Sequence, residues 1–453
     1  MHIHILGICG TFMAGIAALA KASGHKVTGC DQNVYPPMST QLEQLGIEIT
    51  EGYNENQIKL NPDIFIIGNV ISRENPLIES ILNRKLLYQS GPQWLYENIL
   101  YNKWVLAVAG THGKTTTSSM LAWILEFNEL APGFLIGGIP NNFKVSARLP
   151  INNQKNSPTF FVIEADEYDT AFFDKRSKFI HYNPNTLVLN NLEFDHADIF
   201  ENIEHIETHF HHLIRIVPSI GKIIFNDDSA SIKKVLKKGC WSQNETFGSK
   251  GKWSYQKVNV NEFEVYFEKK SQGNLKWDLI GHHNSLNALA AIAAAKHIGI
   301  TPEKSIDALA KFQNVKKRME LIESIKSINI YDDFAHHPTA IETTLEGLRS
   351  KIGNDRILAV IEPSSNTMKL GSMKNDLLKS LKTADIIFCF SKNLTWDPKF
   401  LFKNISNVTV MTDIDILANK IFSTCRPKDN IIFMSNSGFS GLQNKVAKML
   451  KNE

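Results

Sequence analysis

An apolar run, Trp104 to Ala109, empties into Gly110-Thr111-His112-Gly113-Lys114-Thr115 and then into helix-forming sequence. No other feature restricts the fold as strongly. A buried strand that ends in a glycine turn and continues as a helix is the building unit of a parallel sheet covered by helices. The two glycines let backbone N–H groups approach an anion, and the following helix turns its positive end to the same place. Lys114 supplies a fixed cation for β and γ phosphates, and the Thr115 hydroxyl suits Mg²⁺. Val108 stands where the eight-residue Walker pattern has its first glycine, so the loop departs from the commonest version of that motif. A glycine turn with a merely solvated lysine is the bland alternative. The coincidence of strand, glycines, Lys-Thr and helix favours a nucleoside triphosphate instead.

Two further segments carry carboxylates to the same kind of sheet edge. F-F-V-I-E-A-D-E-Y-D, from Phe160 to Asp169, reads as a buried strand that delivers Glu164 at its end, where open α/β sheets bind ligands. Glu164 is therefore a candidate Mg²⁺ ligand. After the strand Thr186 to Leu189, N-N-L-E-F-D-H-A-D brings Asp195, His196 and Asp198 to a comparable edge, and His196 is a candidate for a second metal or a substrate oxygen. Phosphoryl chemistry needs such groups to offset the charge on the transferring phosphate.

At about 150 residues per domain, 453 residues suggest three domains. Alternation of β and α elements restarts twice, which divides the chain into residues 1–102, 103–313 and 314–453. The predicted class is α/β throughout: a Rossmann-like first domain, a central P-loop ATPase-like domain and a Rossmann-like third domain. Forty-nine basic against 46 acidic residues leave a net charge of +3, too balanced for a nucleic-acid coat or a membrane-seeking polycation. Five scattered cysteines without a C-x-x-C pair suggest a reducing, cytoplasmic setting. No apolar run approaches a membrane span, and no signal peptide is evident at the start.

The N-terminal turn has Gly7, Gly10 and Gly15 after a strand, a site for a diphosphate, with Asp31 at the end of the next strand placed to hold a ribose. A nicotinamide oxidoreductase can claim such a turn. G-x-G-x-x-G nevertheless fails in both registers, meeting Cys9 and Phe12 in one and Phe12 in the other. Cys9 reads as a small loop residue and not as a nucleophile.

With these motifs in place, the chain resembles the Mur ligase family, the ATP-dependent amide-forming enzymes of peptidoglycan assembly. G-H-H-N-S-L-N-A-L-A-A (Gly281 to Ala291), K-K-R-M-E (Lys316 to Glu320) and Y-D-D-F-A-H-H-P (Tyr331 to Pro338) carry that likeness. The resemblance implies ATP and Mg²⁺ as cofactors. Gly110, Thr111, His112, Gly113, Lys114 and Thr115 would cradle the phosphates, Asn284 and Asn287 would contact adenine, Asp333 the ribose and Arg318 the γ phosphate. Lys114, Glu164, His196 and Arg318 would be the catalytic set, with Thr115, Glu164 and His196 on metal. Gly7, Gly10, Thr11, Asp31 and Ser72 would hold the UDP portion of the sugar nucleotide. Within the family, L-G-I-C-G-T-F-M-A-G, N-V-Y-P-P-M-S-T, S-G-P-Q-W-L, F-F-D-K-R-S-K-F and S-N-T-M-K resemble the branch that joins the murein tripeptide L-alanyl-γ-D-glutamyl-meso-diaminopimelate to UDP-N-acetylmuramate. The alternative is the branch that adds L-alanine. Two departures stand out: no lysine occurs between His196 and Lys222, where several relatives carry a carbamylated one, and Ser364 stands where an arginine is usual. S-N-S-G-F-S-G (Ser435 to Gly441) is a candidate for the peptide end.

Overall fold

Apolar strands that are buried on both faces set the architecture of each part of the chain. A computed structural model of the protein describes residues 1–34, 38–151, 158–197, 199–392 and 394–452. Asp198, together with Tyr35, Pro36 and Pro37 of the N-V-Y-P-P-M-S-T string, lies outside the described residues.

Strands β1 (His2–Leu6), β2 (Lys26–Asp31), β3 (Glu48–Glu51), β4 (Ile64–Ile67) and β5 (Tyr88–Ser90) form a parallel sheet in the order β3-β2-β1-β4-β5. The order reverses between β1 and β4, so the loops that follow these two strands flank a crevice at the carboxyl edge. The helix Thr11–Ala22 rises from that crevice behind Gly10. Gly15 is not part of the turn, contrary to its reading as a diphosphate glycine. It lies inside this helix, and a Cβ there would fall 2.1 Å from Leu135 Cδ1. The missing side chain lets the first domain press against the second.

The second sheet has ten strands in the order β17-β16-β15-β14-β13-β12-β6-β9-β7-β8. Its parallel centre is β6 (Trp104–Ala109), β9 (Phe160–Ala165), β12 (Thr186–Leu189) and β13 (Lys222–Asn226), extended by β7 (Gly133–Leu135) on one side and β14 (Gln243–Phe247) on the other. The short β8 (Ala147–Arg148) closes one edge. Strands β15 (Trp253–Asn259), β16 (Glu262–Phe267) and β17 (Lys270–Lys276) add an antiparallel meander that the α/β alternation did not predict. The F-F-D-K-R-S-K-F string supplies the turn and second strand of a separate hairpin, β10 (Asp169–Ala171) with β11 (Asp174–Ser177).

The helix His282–His297 starts directly after Gly281, which at φ +93° turns the chain there. Its alanines pack against the phosphate-loop helix Lys114–Phe127 within one apolar cluster. On the opposite face of the sheet, a continuous cluster runs from Ile3 and Ile5 through Leu135 and Phe161 to Phe210, so the first two domains share an interior.

The third sheet has the order β18-β19-β23-β20-β21-β22, formed by β18 (Glu320–Ile325), β19 (Ile328–Asp333), β20 (Ile357–Ile361), β21 (Ile386–Phe390), β22 (Val408–Met411) and β23 (Asn430–Met434). All neighbours are parallel except β18, which pairs antiparallel with β19 at the edge. Its apolar clusters contain only residues beyond 318, so this domain keeps its own interior. Among the described residues no helix is long and apolar enough to cross a membrane.

Candidate active site

The loop between β6 and the helix Lys114–Phe127 is built as its glycines require. Gly110 lies at φ +140° and Gly113 at φ +80°, conformations that L side chains rarely adopt. A Cβ on Gly113 would also sit 2.5 Å from Asn287 Oδ1. The loop is stapled to the chain that follows β12. His112 N–H donates to Asn191 Oδ1 at 2.7 Å, and Thr111 Oγ1 accepts from Glu193 N–H at 2.9 Å while donating to Glu193 O. Asn287 Oδ1 accepts from Thr117 Oγ1 at 3.1 Å, which makes it a brace of the loop helix; Asn284 Nδ2 donates to Ile280 O at 2.8 Å.

Cations and carboxylates interlock beneath this loop. Lys114 Nζ donates to Gly110 O at 2.7 Å and pairs with Glu167 Oε2 at 2.8 Å. Glu167 Oε1 is 3.1 Å from His196 Nε2, so lysine, glutamate and histidine form a chain. Glu167 belongs to the E-A-D-E-Y-D string, yet the sequence reading singled out only Glu164. Its place two residues beyond the end of β9 gave it no special signal, because its partner Lys114 is 53 residues away. Asp166 is likewise held by Lys178 at 3.2 Å.

The electrostatics separate these acids by role. Burial disfavours every charge here. For Glu167 the Lys114 charge and the His196 hydrogen bond overcome burial and hold the carboxyl below its ordinary range. Lys114, buried as well, is held above its ordinary value by Glu167 and Asp166. His196 follows the same logic: burial pulls it down, but Glu167 and Asp195 win and raise it. It sits at φ +56°, with its N–H donating to Asp195 Oδ1 at 2.7 Å. Glu164 differs. Burial pushes its carboxyl up, only partly opposed by Lys114, by the Gly137 N–H at 2.7 Å and by Arg318.

Thr115 Oγ1 donates to Glu164 Oε1 at 3.0 Å and accepts from Arg318 Nη2 at 3.3 Å. A buried carboxylate short of positive charge, beside a hydroxyl, is a hard-oxygen donor set that fits Mg²⁺. Arg318 thus reaches from the hinge into the central domain, lying over the Phe334 ring at 4.6 Å. The Asp333 carboxylate accepts from Met319 N–H at 2.6 Å and Ala335 N–H at 2.8 Å, so its oxygens secure the hinge around Arg318.

Facing His196 across the domain boundary is a polar cavity of about 140 Å³, lined on one side by Tyr168, Asp195 and His196 and on the other by Ser364, Thr367 and Asn436. Thr367 Oγ1 closes its rim, donating to Asp195 Oδ1 at 2.9 Å and accepting from Ala197 N–H at 3.2 Å. Ser364 Oγ donates to Asn436 Oδ1 at 2.5 Å, which brings the S-N-S-G-F-S-G turn to this cavity.

At the N-terminal crevice Gly7 takes φ +75° and Asp31 Oδ2 accepts from Cys9 N–H at 2.9 Å. Gly10 and Thr11 stand at the helix start, and Ser72 is exposed in the loop after β4. These residues end or follow strands of the first sheet on the edge where its order reverses. Burial and Asp31 raise the Cys9 thiol to about 11, in keeping with its reading as a small loop residue.

Comparison with known proteins gives the family of each part. The model described as "Mur ligase family, catalytic domain" matches residues 2–102, "Mur ligase middle domain" residues 108–295, and "Mur ligase, glutamate ligase domain" residues 317–437. The chain is 50% identical over 455 residues to the UDP-N-acetylmuramate-L-alanyl-gamma-D-glutamyl-meso-2,6-diaminoheptandioate ligase of Escherichia coli K12, covering 98% of this chain and 97% of that one. A crystal structure of a murein peptide ligase from Psychrobacter arcticus superposes with a TM-score of 0.78 at 43% identity, covering 100% of this chain and 99% of that chain. The UDP-N-acetylmuramate-L-alanine ligase of Dictyoglomus turgidum is 31% identical, covering 85% of this chain and 80% of its own.

Proposed function

The chain belongs to the Mur ligase family of ATP-dependent amide-forming enzymes, and from that premise we propose that it joins L-alanyl-γ-D-glutamyl-meso-diaminopimelate to UDP-N-acetylmuramate. One observation carries this choice of acceptor. Identity of 50% extends over nearly the whole chain toward a ligase of that tripeptide, against 31% over a shorter span toward a ligase of L-alanine. Such a tripeptide is a breakdown product of cell-wall murein, so the reaction serves recycling, and its ATP requirement suits the cytoplasm.

The residues divide the work as follows. The lactyl carboxylate of the sugar nucleotide attacks the γ phosphorus of ATP and ADP leaves, giving an acyl phosphate. A carboxylate is a poor acyl donor because its leaving group is oxide; phosphate is a good one. The neutral α-amine of the peptide then attacks the acyl carbon, and phosphate departs as the amide forms. N–H groups from Gly110 to Thr115 hold the phosphates, and Lys114 and Arg318 stabilise the charge on the moving phosphoryl group. Thr115 and Glu164 would hold Mg²⁺, with His196 beside a second; the ion supplies neutralisation of phosphate charge. UDP binds at Gly7, Gly10, Thr11, Asp31 and Ser72, adenine at Asn284 and Asn287, and the ribose near Asp333. The peptide amine enters the cavity between His196 and Ser364. Domain limits at residues 102 and 313 give each substrate its own module.

An assay of ADP release that offers UDP-N-acetylmuramate with L-alanine, dipeptide or tripeptide tests the reading. Turnover with the tripeptide at least tenfold above L-alanine is expected. Turnover with L-alanine alone would falsify the assignment.

A further inference from the structure

Outside the chain of groups just described, a histidine of the phosphate loop, a glutamate that follows β12 and a histidine of the third domain converge. One nitrogen from each of His112 and His337 and one oxygen of Glu193 lie within 4.8 Å of one another. His112 Nε2 is 3.5 Å and His337 Nδ1 3.8 Å from Glu193 Oε2, and the two rings stand 4.6 Å apart. A tetrahedral ion with bonds of ~2.0–2.1 Å separates its donors by roughly 3.4 Å, close to the 3.5 Å between His112 Nε2 and Glu193 Oε2, so His337 is the ligand that must draw in. His337 is 5% exposed; its Nδ1 accepts from Thr339 N–H at 3.3 Å, while its Nε2, like His112 Nε2, is sealed from solvent without a hydrogen-bond partner and is the nitrogen free to ligate. Buried polar atoms rarely stay unpaired without a reason.

We propose that His112, Glu193 and His337 form a binding site for a borderline divalent cation of the zinc class. Two imidazoles and a carboxylate make a donor set that suits such an ion and leaves a fourth position for water. Mg²⁺ prefers oxygen ligands and dehydrates reluctantly, so it competes poorly here, and the oxygen pair of Thr115 and Glu164 stays distinct. The backing is firm: Thr339 Oγ1 donates to Glu193 Oε2 at 2.8 Å, and the Glu193 backbone is bonded to Thr111. Two ligands come from the central domain and one from the start of the third-domain helix Pro338–Ile352. A bound ion therefore pins the third domain to the phosphate loop.

The full-length protein, stripped of metal and free of substrates, is titrated with CoCl₂ alone. Visible d–d bands that saturate at one equivalent, vanish with one equivalent of ZnCl₂ and persist in millimolar MgCl₂ are expected. His337→Asn keeps a side chain able to cap the helix, and Glu193→Gln keeps the shape of the loop. Each is expected to weaken cobalt binding at least tenfold, since even the loss of an outer-sphere partner costs ~10–100-fold. Circular dichroism identifies any variant that fails to fold, and the other then decides. Absence of one-equivalent bands in the parent, or unchanged affinity in the folded variants, overturns the proposal. So does loss of the bands in His209→Asn, which would move the ion to the His205, His209 and His212 stripe of the helix Ile203–Arg215.

Discussion

Lys114 Nζ donates to two carbonyls of the phosphate loop and to the Glu167 carboxylate. Lys114→Ala is expected to lower kcat for ADP release by ~10²–10³-fold or more, the loss typical of a charge-stabilising donor. Calorimetric affinity for UDP-N-acetylmuramate should be unchanged, because that crevice lies elsewhere. A second residue makes a prediction about pH. Burial pushes Asp332 up to about 6, outweighing the opposing pull of Lys317 and Gln443. The folded chain then keeps a proton that the unfolded chain releases near pH ~4, so stability declines as pH rises from ~4 to about 6. Asp332→Asn removes the penalty. Urea denaturation should find the variant ~1–3 kcal/mol more stable at pH 7 and nearly equal to the parent at pH 4. Single residues such as Lys114 and Glu164 were legible because each sits at a fixed offset from a strand end. Glu167 and Asp166 were not, since what distinguishes them is a partner brought near only by the fold.

Elements were easier to read than pairings. Strands β6, β20 and β21 are unbroken apolar runs, and β12 is one after its opening Thr186, which only a position buried on both faces explains, and their limits follow from the sequence directly. Strands β15 and β16 mix apolar with polar and charged residues, β17 has a single large apolar residue in Leu275, and Val258 is exposed, so they lack the signal that marked the others. Edge strand β18 was missed for the same reason. The phosphate loop shows how an element depends on one atom's absence. Gly113→Ala demands a left-handed alanine and thrusts a methyl toward Asn287. The variant is expected to lose ATP binding by at least tenfold in equilibrium titration, since its loop N–H groups can no longer converge. Asn287→Ala added to it should recover only part, because the backbone strain remains.

Across the whole molecule, the reaction depends on keeping water from a reactive acyl phosphate. Thr367 bridges the domains at the cavity rim and is 2% exposed. Thr367→Val removes both bridging hydrogen bonds at little cost in volume. It should raise the ratio of ADP released to amide formed severalfold, as measured by running both assays on one sample; a ratio that stays at unity would show that closure does not depend on this contact. The three-part plan was legible from the restarts of alternation, whereas the way the parts adhere was not, because Gly15 and Leu135 meet across 120 residues of chain. That adhesion has a consequence for redesign. Since the first two sheets are glued through a single apolar layer while the third is self-sufficient, a recombinant hybrid that borrows residues beyond the Arg318 hinge from a cousin inherits a new amine preference with the donor half left whole, and any splice nearer the start tears open a seamless interior.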